Sequence, residues 1–313
     1  MTTYILRRLL LMIPAVLLVS IFVFILIRAI PGDAVALMLE ESAEPEAAER
    51  LREKLGLNDP IPVQFWYWLR DAVQGDFGTS LWTRNSVTSE ILRALPVTLE
   101  LAFLAMLVAL AIAIPAGLFS ALKQDTLPDH VVRMISMLGL SIPAFWLGTL
   151  YVMLPAIWFK WLPPTEYVPL HVDPIANIKQ FILPALALGY YMSAVTMRMM
   201  RSQTLEVLRQ DFIRVAWAKG LRARAVVLRH TLRNALIPVI TLAGGQLSLL
   251  LGGVVIIEEI FVLPGLGRLT LWALEVRDYP QIQANILVIV LMTMVLNLIT
   301  DLSYGWLDPR IRY

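Results

Sequence analysis

The chain has 313 residues, of which 58% are hydrophobic and only 16% are charged. A soluble domain has about 45–50% apolar and about 25% charged residues, so this composition indicates that much of the surface faces lipid. The net charge of +2 gives no indication of nucleic-acid binding, and the absence of cysteine excludes disulfides, iron–sulfur clusters and thiolate zinc sites.

The chain starts with a short basic head, Arg7 and Arg8, which an apolar run follows over residues 9–27. This run is longer than the apolar region of a secretory signal peptide, which has about 7–15 residues, and further apolar runs come after it. We therefore interpret residues 1–30 as a retained transmembrane helix and not as a cleaved leader.

Six segments are long and apolar enough to cross a bilayer core, which needs about 20 helical residues. They lie near residues 9–30, 97–122, 131–159, 181–200, 236–257 and 284–306. Several contain proline, at Pro14, Pro115, Pro143 and Pro155. We interpret these prolines as packing kinks, because neighbouring groups in a membrane bundle satisfy the carbonyls that proline frees. The sequence thus predicts an all-α integral membrane protein with six transmembrane helices.

Residues 31–93 are predicted to form an external insertion between the first two spans. Within it, residues 47–55 have the pattern of a charged surface helix that ends at Gly56, and residues 63–73 form an amphipathic, aromatic stretch. Such aromatic stretches often lie at the membrane–water interface. We interpret this one as an interfacial packing helix, with a docking surface for an external partner as the alternative.

The distribution of charge predicts the orientation of the chain. The segment 201–235 holds eight Lys and Arg residues against two acids, and an excess of positive charge marks cytoplasmic loops. Both termini are then cytoplasmic, the five-helix core covers residues 94–306, and residues 307–313 form a cytoplasmic tail.

The chain lacks the motifs of several enzyme classes. It has no P-loop pattern Gly-x-x-x-x-Gly-Lys-Ser/Thr and no His-Glu-x-x-His, and its three histidines are isolated in sequence. Ionisable residues at membrane depth are functional candidates, but Glu100 and Asp301 lie near the ends of their spans, so we assign them structural or capping roles. The sequence predicts neither an enzyme active site nor a metal site.

The most informative segment follows the fourth span. Asp211 is a good N-cap, residues 212–219 would form about two helical turns, and Gly220 fits a C′ stop at positive φ. A second helix is predicted over residues 223–234. The small residues Ala216 and Ala218 would let a partner approach the first helix closely. The alternatives are an ordinary basic loop, or a patch that binds anionic lipid or nucleic acid.

This segment resembles a known family. Ala216-x-Ala218-Lys219-Gly220 and then His230-x-x-Arg233-Asn234-Ala235-Leu236-Ile237-Pro238 are similar to the "EAA" loop of binding-protein-dependent ABC importer permeases. The form is that of the first-permease type in the dipeptide/oligopeptide/nickel subfamily, with Arg214 or Val215 where the generic motif has Glu. Further matches, in order along the chain, lie at residues 30–33, 55–60, 75–80, 96–100, 264–268, 277–280 and 308–312.

The resemblance implies a type I ABC importer permease fold in a bacterial inner membrane. The loop at about 202–235 would be a coupling helix that sits on an ATPase, through Asp211, Arg214, Ala216, Ala218, Lys219, Gly220 and Leu221. The implied partners are a homologous second permease, two cytoplasmic ATPase subunits that bind ATP and Mg²⁺, an external solute-binding protein and the lipid bilayer, but no nucleic acid. This chain itself would need no cofactor.

Four glycines of the fifth span, Gly244, Gly245, Gly252 and Gly253, would allow close helix approach. They would line the pathway or the interface between permeases, or serve ordinary packing. The resemblance implies short peptides as cargo, with nickel chelates or glutathione as alternatives. A different class of protein, an ion-coupled secondary transporter, is the remaining alternative.

Overall fold

The computed structural model describes residues 2–29 and 58–307. These residues are helical apart from turns and one isolated β-bridge between Thr79 and Ser86. The surface helix predicted over 47–55 and the motifs at 30–33 and 308–312 lie outside the described residues. The all-α class is therefore confirmed for the described part of the chain.

The helices run in the following order. They are α1 (Thr2–Ala29), α2 (Ile61–Val73), α3 (Val87–Leu122), α4 (Leu127–Ser141), α5 (Ala144–Phe159), α6 (Pro174–Leu208), α7 (Asp211–Ala218), α8 (Ala223–Ala225), α9 (Leu232–Ile260), α10 (Leu266–Glu275) and α11 (Tyr279–Leu307). A π-helical turn, Val226–Thr231, joins α8 to α9.

Among the described residues, five helical stretches are long and apolar enough to cross a membrane. They are Leu6–Leu26, Val87–Leu122, Pro174–Leu208, Ala223–Leu250 and Tyr279–Leu302. Five of the six predicted spans are thereby confirmed. A sixth crossing exists if α4 and α5 together count as one span.

The prediction of a single helix over residues 131–159 is wrong. Helices α4 and α5 meet at a bend of 95°. Proline disfavours the helical conformation in the residue before it, and Ile142 accordingly has φ −99° and ψ 119°, in the extended region. Pro143 is therefore a complete break and not a packing kink, whereas Pro14 and Pro155 do lie inside their helices.

Helix α3 begins at Val87, ten residues before the predicted start of the second span. Its first turns place Val87, Ile91 and Ala94 on one face, at the spacing of an amphipathic helix. All three are buried in a cluster with Leu266 and Ala284. Burial of this face extends the helix beyond its apolar run.

The described residues divide into two compact units, one made of residues 97–264 with the chain from 295 onward, the other of residues 2–96 and 265–294. In the first unit, α6 packs against α3, α4, α5 and α9. Two glycines permit the contact between α6 and α3. A methyl group on Gly189 would lie 2.7 Å from the Ala105 carbonyl oxygen, and a methyl group on Gly117 would lie 2.7 Å from the Met197 carbonyl oxygen.

In the second unit, α2 packs on the end of α1. The Phe24 ring lies 5.2 Å from that of Phe65 and 5.9 Å from that of Trp68, and Arg28 Nη2 donates to Gln64 Oε1 at 2.7 Å. The predicted amphipathic helix is confirmed, with its packing face on α1. Trp66, on the same helix, stays exposed.

Two of the sequence motifs meet in the second unit. The Ser80 hydroxyl and the Leu81 backbone N–H both donate to the buried Asp278 carboxylate, the latter at 3.3 Å, and Trp82 Nε1 donates to the Val276 carbonyl at 2.6 Å. Asp278 in turn precedes the first turn of α11, where its Oδ1 accepts from the Gln281 N–H at 3.4 Å. The motif at 75–80 and that at 277–280 thus form one hydrogen-bonded structure.

Candidate functional site

Helix α7 is short, ordered and capped at its end by a glycine. Gly220 has φ +73°, and its N–H donates to the Trp217 carbonyl at 2.9 Å, while the Leu221 N–H donates to the Ala216 carbonyl at 3.4 Å. These two bonds form a Schellman motif, which needs a residue at positive φ at the C′ position. The predicted glycine stop is confirmed.

The start of α7 differs from the prediction. The N-cap residue is Gln210, whose side chain makes no capping bond, and Asp211 is the first helical residue. A carboxylate in the first turn still favours the helix through its dipole. Asp211 pairs with Arg214 at 3.0 Å, but both side chains are well exposed, so this pair contributes little stability.

One face of α7 is anchored in the core of the chain itself. Ile213 and Ala216 are buried in a cluster that includes Met200 of α6 together with Val226 and Val239. The prediction that Ala216 offers close approach to a partner is therefore wrong, because the chain's own side chains already cover it. Ala218, Lys219 and Leu221 are exposed.

Three large apolar side chains of α7 are exposed beside its anchored face, Phe212 and Val215 on one side and Trp217 on the other. Phe212, Val215 and Trp217 have 46%, 52% and 47% of their surface exposed. The sequence patterns predicted no role for these three residues. On the helix they lie next to the buried positions Ile213 and Ala216. Large apolar side chains left exposed together on a rigid helix mark an interaction surface.

The segment after Gly220 differs from the predicted separate helix over 223–234. Helix α8 continues through the π-helical turn into α9, so the chain runs from Ala223 to Ile260 without a break. The Thr231 hydroxyl donates to the Val226 carbonyl at 3.2 Å, five residues back, as the wider turn allows. Helix α7 is therefore connected to a membrane-spanning helix by a single glycine elbow.

A buried ion pair stabilises the end of α6 that leads to α7. Arg201 donates to Asp129 through Nε at 3.0 Å and Nη2 at 2.8 Å, and Asp129 is fully buried. Its carboxylate also accepts from the Ser120 hydroxyl and, at 3.0 Å, from the Asp125 N–H. The ion pair thus connects α6 to the turn that joins α3 and α4. No sequence pattern predicted this pair.

The four glycines of α9 do not share one environment. A methyl group on Gly244 would lie 2.5 Å from Thr300 Cγ2, so this glycine permits close packing of α11. Around Gly245 and Gly252, no described atom comes within 4 Å of the place a Cβ would take, and at Gly253 only Leu188 does, at 3.9 Å. Leu249 is 80% exposed on the same helix.

Two acidic side chains of the long helices have polar neighbours. The Thr98 hydroxyl donates to Glu258 Oε1 at 2.6 Å, and both side chains are buried. Glu100 lies beside Asn177 and Tyr167, and burial and the Glu100 charge together raise the pKa of the Tyr167 phenol. The structural role expected for Glu100 stays a prediction.

The described helices define a polytopic membrane protein in which the short helix α7 lies between two of the spans. Two family models match the sequence: that of the binding-protein-dependent transport system inner membrane component matches residues 113–313, and that of the N-terminal region of such membrane components matches residues 1–102. The chain belongs to this family, whose members are membrane permease subunits of ABC transporters.

Relatives that align over their whole length share about two fifths of the sequence. The chain is 41% identical to the dipeptide transport system permease protein DppB of Alkalihalophilus pseudofirmus and 39% identical to the glutathione transport system permease protein GsiC of Escherichia coli K12, with 100% of each chain covered.

Two solved structures have a similar fold. One is of an amino acid ABC transporter, with a TM-score of 0.51 at 16% identity over 70% of this chain and 94% of that chain. The other is of the MetNI methionine ABC transporter in inward-facing conformations, with a TM-score of 0.57 at 15% identity over 70% and 96%. The predicted ABC importer permease fold is confirmed.

Proposed function

We propose that the chain is the membrane permease subunit of an ATP-driven importer of short peptides, and that α7 is the helix through which a partner ATPase acts on it. The observation that carries the proposal is that α7 is anchored in the core next to α6 through Ile213 and Ala216. The large apolar side chains on either side of that anchored face stay exposed: Phe212, Val215 and Trp217.

This arrangement suits the transmission of force. An aromatic pair on an exposed helix can bind in a groove of a partner, where aromatic residues dominate binding energies. Because Ile213 and Ala216 pack beside Met200 and Val226, a displacement of α7 would also displace α6 and the π-helical turn before α9. The partner ATPase would bind ATP and Mg²⁺, so this chain needs no nucleotide site of its own.

The orientation and the other partners follow from the same proposal. Helix α7 lies on the cytoplasmic side of a bacterial inner membrane, because the segment 201–235 carries the excess of basic residues. A second, homologous permease would cover the open surface around Gly245, Gly252 and Leu249. An external solute-binding protein would deliver the cargo.

Short peptides are the proposed cargo because the relatives that align over their whole length are named as dipeptide and glutathione permeases. Glutathione and nickel chelates are the alternatives within the same machinery. An ion-coupled carrier would need none of these partners, and transport by the chain alone under an ion gradient would establish that alternative.

The test is co-purification of the chain with its partner ATPase after joint expression. We expect the variant Phe212→Ala/Trp217→Ala to bind the ATPase roughly a thousandfold more weakly, since loss of each aromatic anchor costs about 2 kcal/mol. Gly220→Val keeps both aromatics but strains the elbow at φ +73°, and it should lower transport as well.

The matched control is Trp66→Ala, which removes an exposed tryptophan from α2. It should leave ATPase binding unchanged. Equal losses in the control and in the α7 variant, or no loss in either, would contradict the proposed role of α7. Uptake of labelled dipeptide, glutathione and nickel chelate by the assembled transporter then identifies the cargo.

A further inference from the structure

A basic groove lies between α4 and α6, next to the start of α7. Its volume is about 660 Å³, and four arginines line it: Arg133, Arg198, Arg201 and Arg209. Glu206 is the one carboxylate among its lining residues, and Met137 and Leu205 add apolar surface. The groove belongs to one compact unit of the chain.

The arginines of the groove differ in how far the chain already uses them. Arg201 is bound by Asp129, and Arg133 lies 3.5 Å from the same carboxylate. Arg198 and Arg209 are exposed, and neither side chain makes a hydrogen bond or ion pair with any residue that the structure describes. Two guanidinium groups thus line the groove without an ion pair, and its four arginines outnumber the single carboxylate, Glu206, which favours an anionic ligand.

Helix α4 extends the groove with an apolar surface. Its buried face packs on α6, where the Ser136 hydroxyl donates to the Ala194 carbonyl at 3.1 Å. The large apolar side chains on its other side are exposed: Leu127, Val131, Met134, Met137 and Leu138. A charged groove beside an exposed apolar stripe matches a molecule with an anionic head and hydrocarbon chains.

The position of the groove along α6 distinguishes a lipid from a soluble partner. Arg198 lies ten residues before the end of α6 at Leu208, which corresponds to about 15 Å along the helix. Arg209 lies just beyond that end. The groove therefore extends from the end of α6 back along a helix that is long and apolar enough to span a membrane, at the depth expected for lipid headgroups.

We propose that this groove binds the phosphate headgroup of an anionic phospholipid, with the acyl chains along the exposed face of α4. Basic pockets between transmembrane helices on the cytoplasmic side are suited to such headgroups. The leaflet follows from the orientation in the proposed function, on which this part of the inference rests. Lipid bound here would contact the helix end that leads directly into α7.

The test measures lipid retention by the purified full-length chain in mild detergent, using native mass spectrometry after addition of phosphatidylglycerol or phosphatidylcholine. We expect preferential retention of phosphatidylglycerol. Arg198→Gln/Arg209→Gln should weaken it roughly thirtyfold, because each arginine near anionic lipid contributes about 1 kcal/mol. Arg198→Lys/Arg209→Lys retains the charge and should retain most of the binding.

The matched control is Arg222→Gln/Arg224→Gln, which removes two exposed arginines outside the groove. Equal loss in both glutamine variants would overturn the proposal, because it would indicate a general charge effect. Displacement of the lipid by millimolar inorganic phosphate would identify a free-anion site instead. Loss of ATPase binding without loss of lipid would assign the groove to the ATPase.

The lipid measurement needs no ATPase, so its outcome is independent of the test of α7. If the aromatic variants of α7 kept their ATPase, the proposed function would fail while lipid retention could still hold. If the glutamine variant of the groove kept its lipid, only the present inference would fail.

Discussion

Asp129 holds the end of α6 that leads into α7. It is fully buried, and it accepts from Ser120, the Asp125 N–H and both donors of Arg201. Removal of one partner of a buried ion pair is costly because the other charge stays without compensation. Asp129→Asn should therefore lower the free energy of unfolding by about 3 kcal/mol, measured as a lower melting midpoint in detergent.

Asp211→Asn is the control for this substitution, since it also removes a carboxylate that pairs with an arginine but does so at the surface. It should leave the melting midpoint unchanged. An Asp129→Asn protein as stable as the unmodified chain would show that the buried pair contributes nothing to stability.

Sequence patterns predicted local features of the site and missed its long-range contacts. Gly220 was identifiable because a glycine after a short helical run has one common structural use, the C′ cap. The burial of Ala216 was not, because a small residue fits equally well against a partner and against the chain itself. The pair of Asp129 with Arg201 spans 72 residues, and no local pattern relates the two.

At the scale of the helix, hydropathy located the spans but not their ends. It merged α4 and α5 because the apolar run continues across the break at Pro143. Other prolines, such as Pro14, Pro115 and Pro155, lie inside continuous helices, so proline alone does not distinguish a kink from a break. Similarly, α3 and α6 extend past their apolar runs because packing within the protein, and not transfer to lipid, stabilises their terminal turns.

The contact between α3 and α6 is a second test at this scale. A methyl group on Gly189 would lie 2.7 Å from the Ala105 carbonyl oxygen and 2.6 Å from Val108 Cγ1, so one helix must shift. We expect Gly189→Ala to lower the free energy of unfolding by about 1–3 kcal/mol, the usual cost of overpacking, as measured by thermal melting of the purified chain.

Gly245→Ala is the matched control, because no described atom lies within 4 Å of its Cβ position. In the isolated chain it should be neutral or slightly stabilising, since alanine favours a helix more than glycine does. A loss of stability in Gly245→Ala equal to that in Gly189→Ala would show that the α3–α6 contact is not what makes glycine necessary at 189.

At the scale of the whole molecule, charge and hydropathy are related through the membrane. The eight basic residues of segment 201–235 include the exposed Arg222 and Arg224 and also arginines of the proposed lipid groove. One excess of positive charge would therefore serve three purposes: it orients the chain, attracts anionic lipid, and surrounds the helix proposed to contact the ATPase. All three depend on this segment being cytoplasmic.

The absence of cysteine makes that orientation directly testable, because a single introduced cysteine has no background. Arg224→Cys and Gln74→Cys both replace exposed residues, one in α8 and one at the end of α2. In right-side-out membrane vesicles, a membrane-impermeant maleimide should label Gln74→Cys at once and Arg224→Cys only after permeabilisation. The unmodified chain is the control and should stay unlabelled. The reverse labelling order would place α7 outside and exclude its contact with a cytoplasmic ATPase.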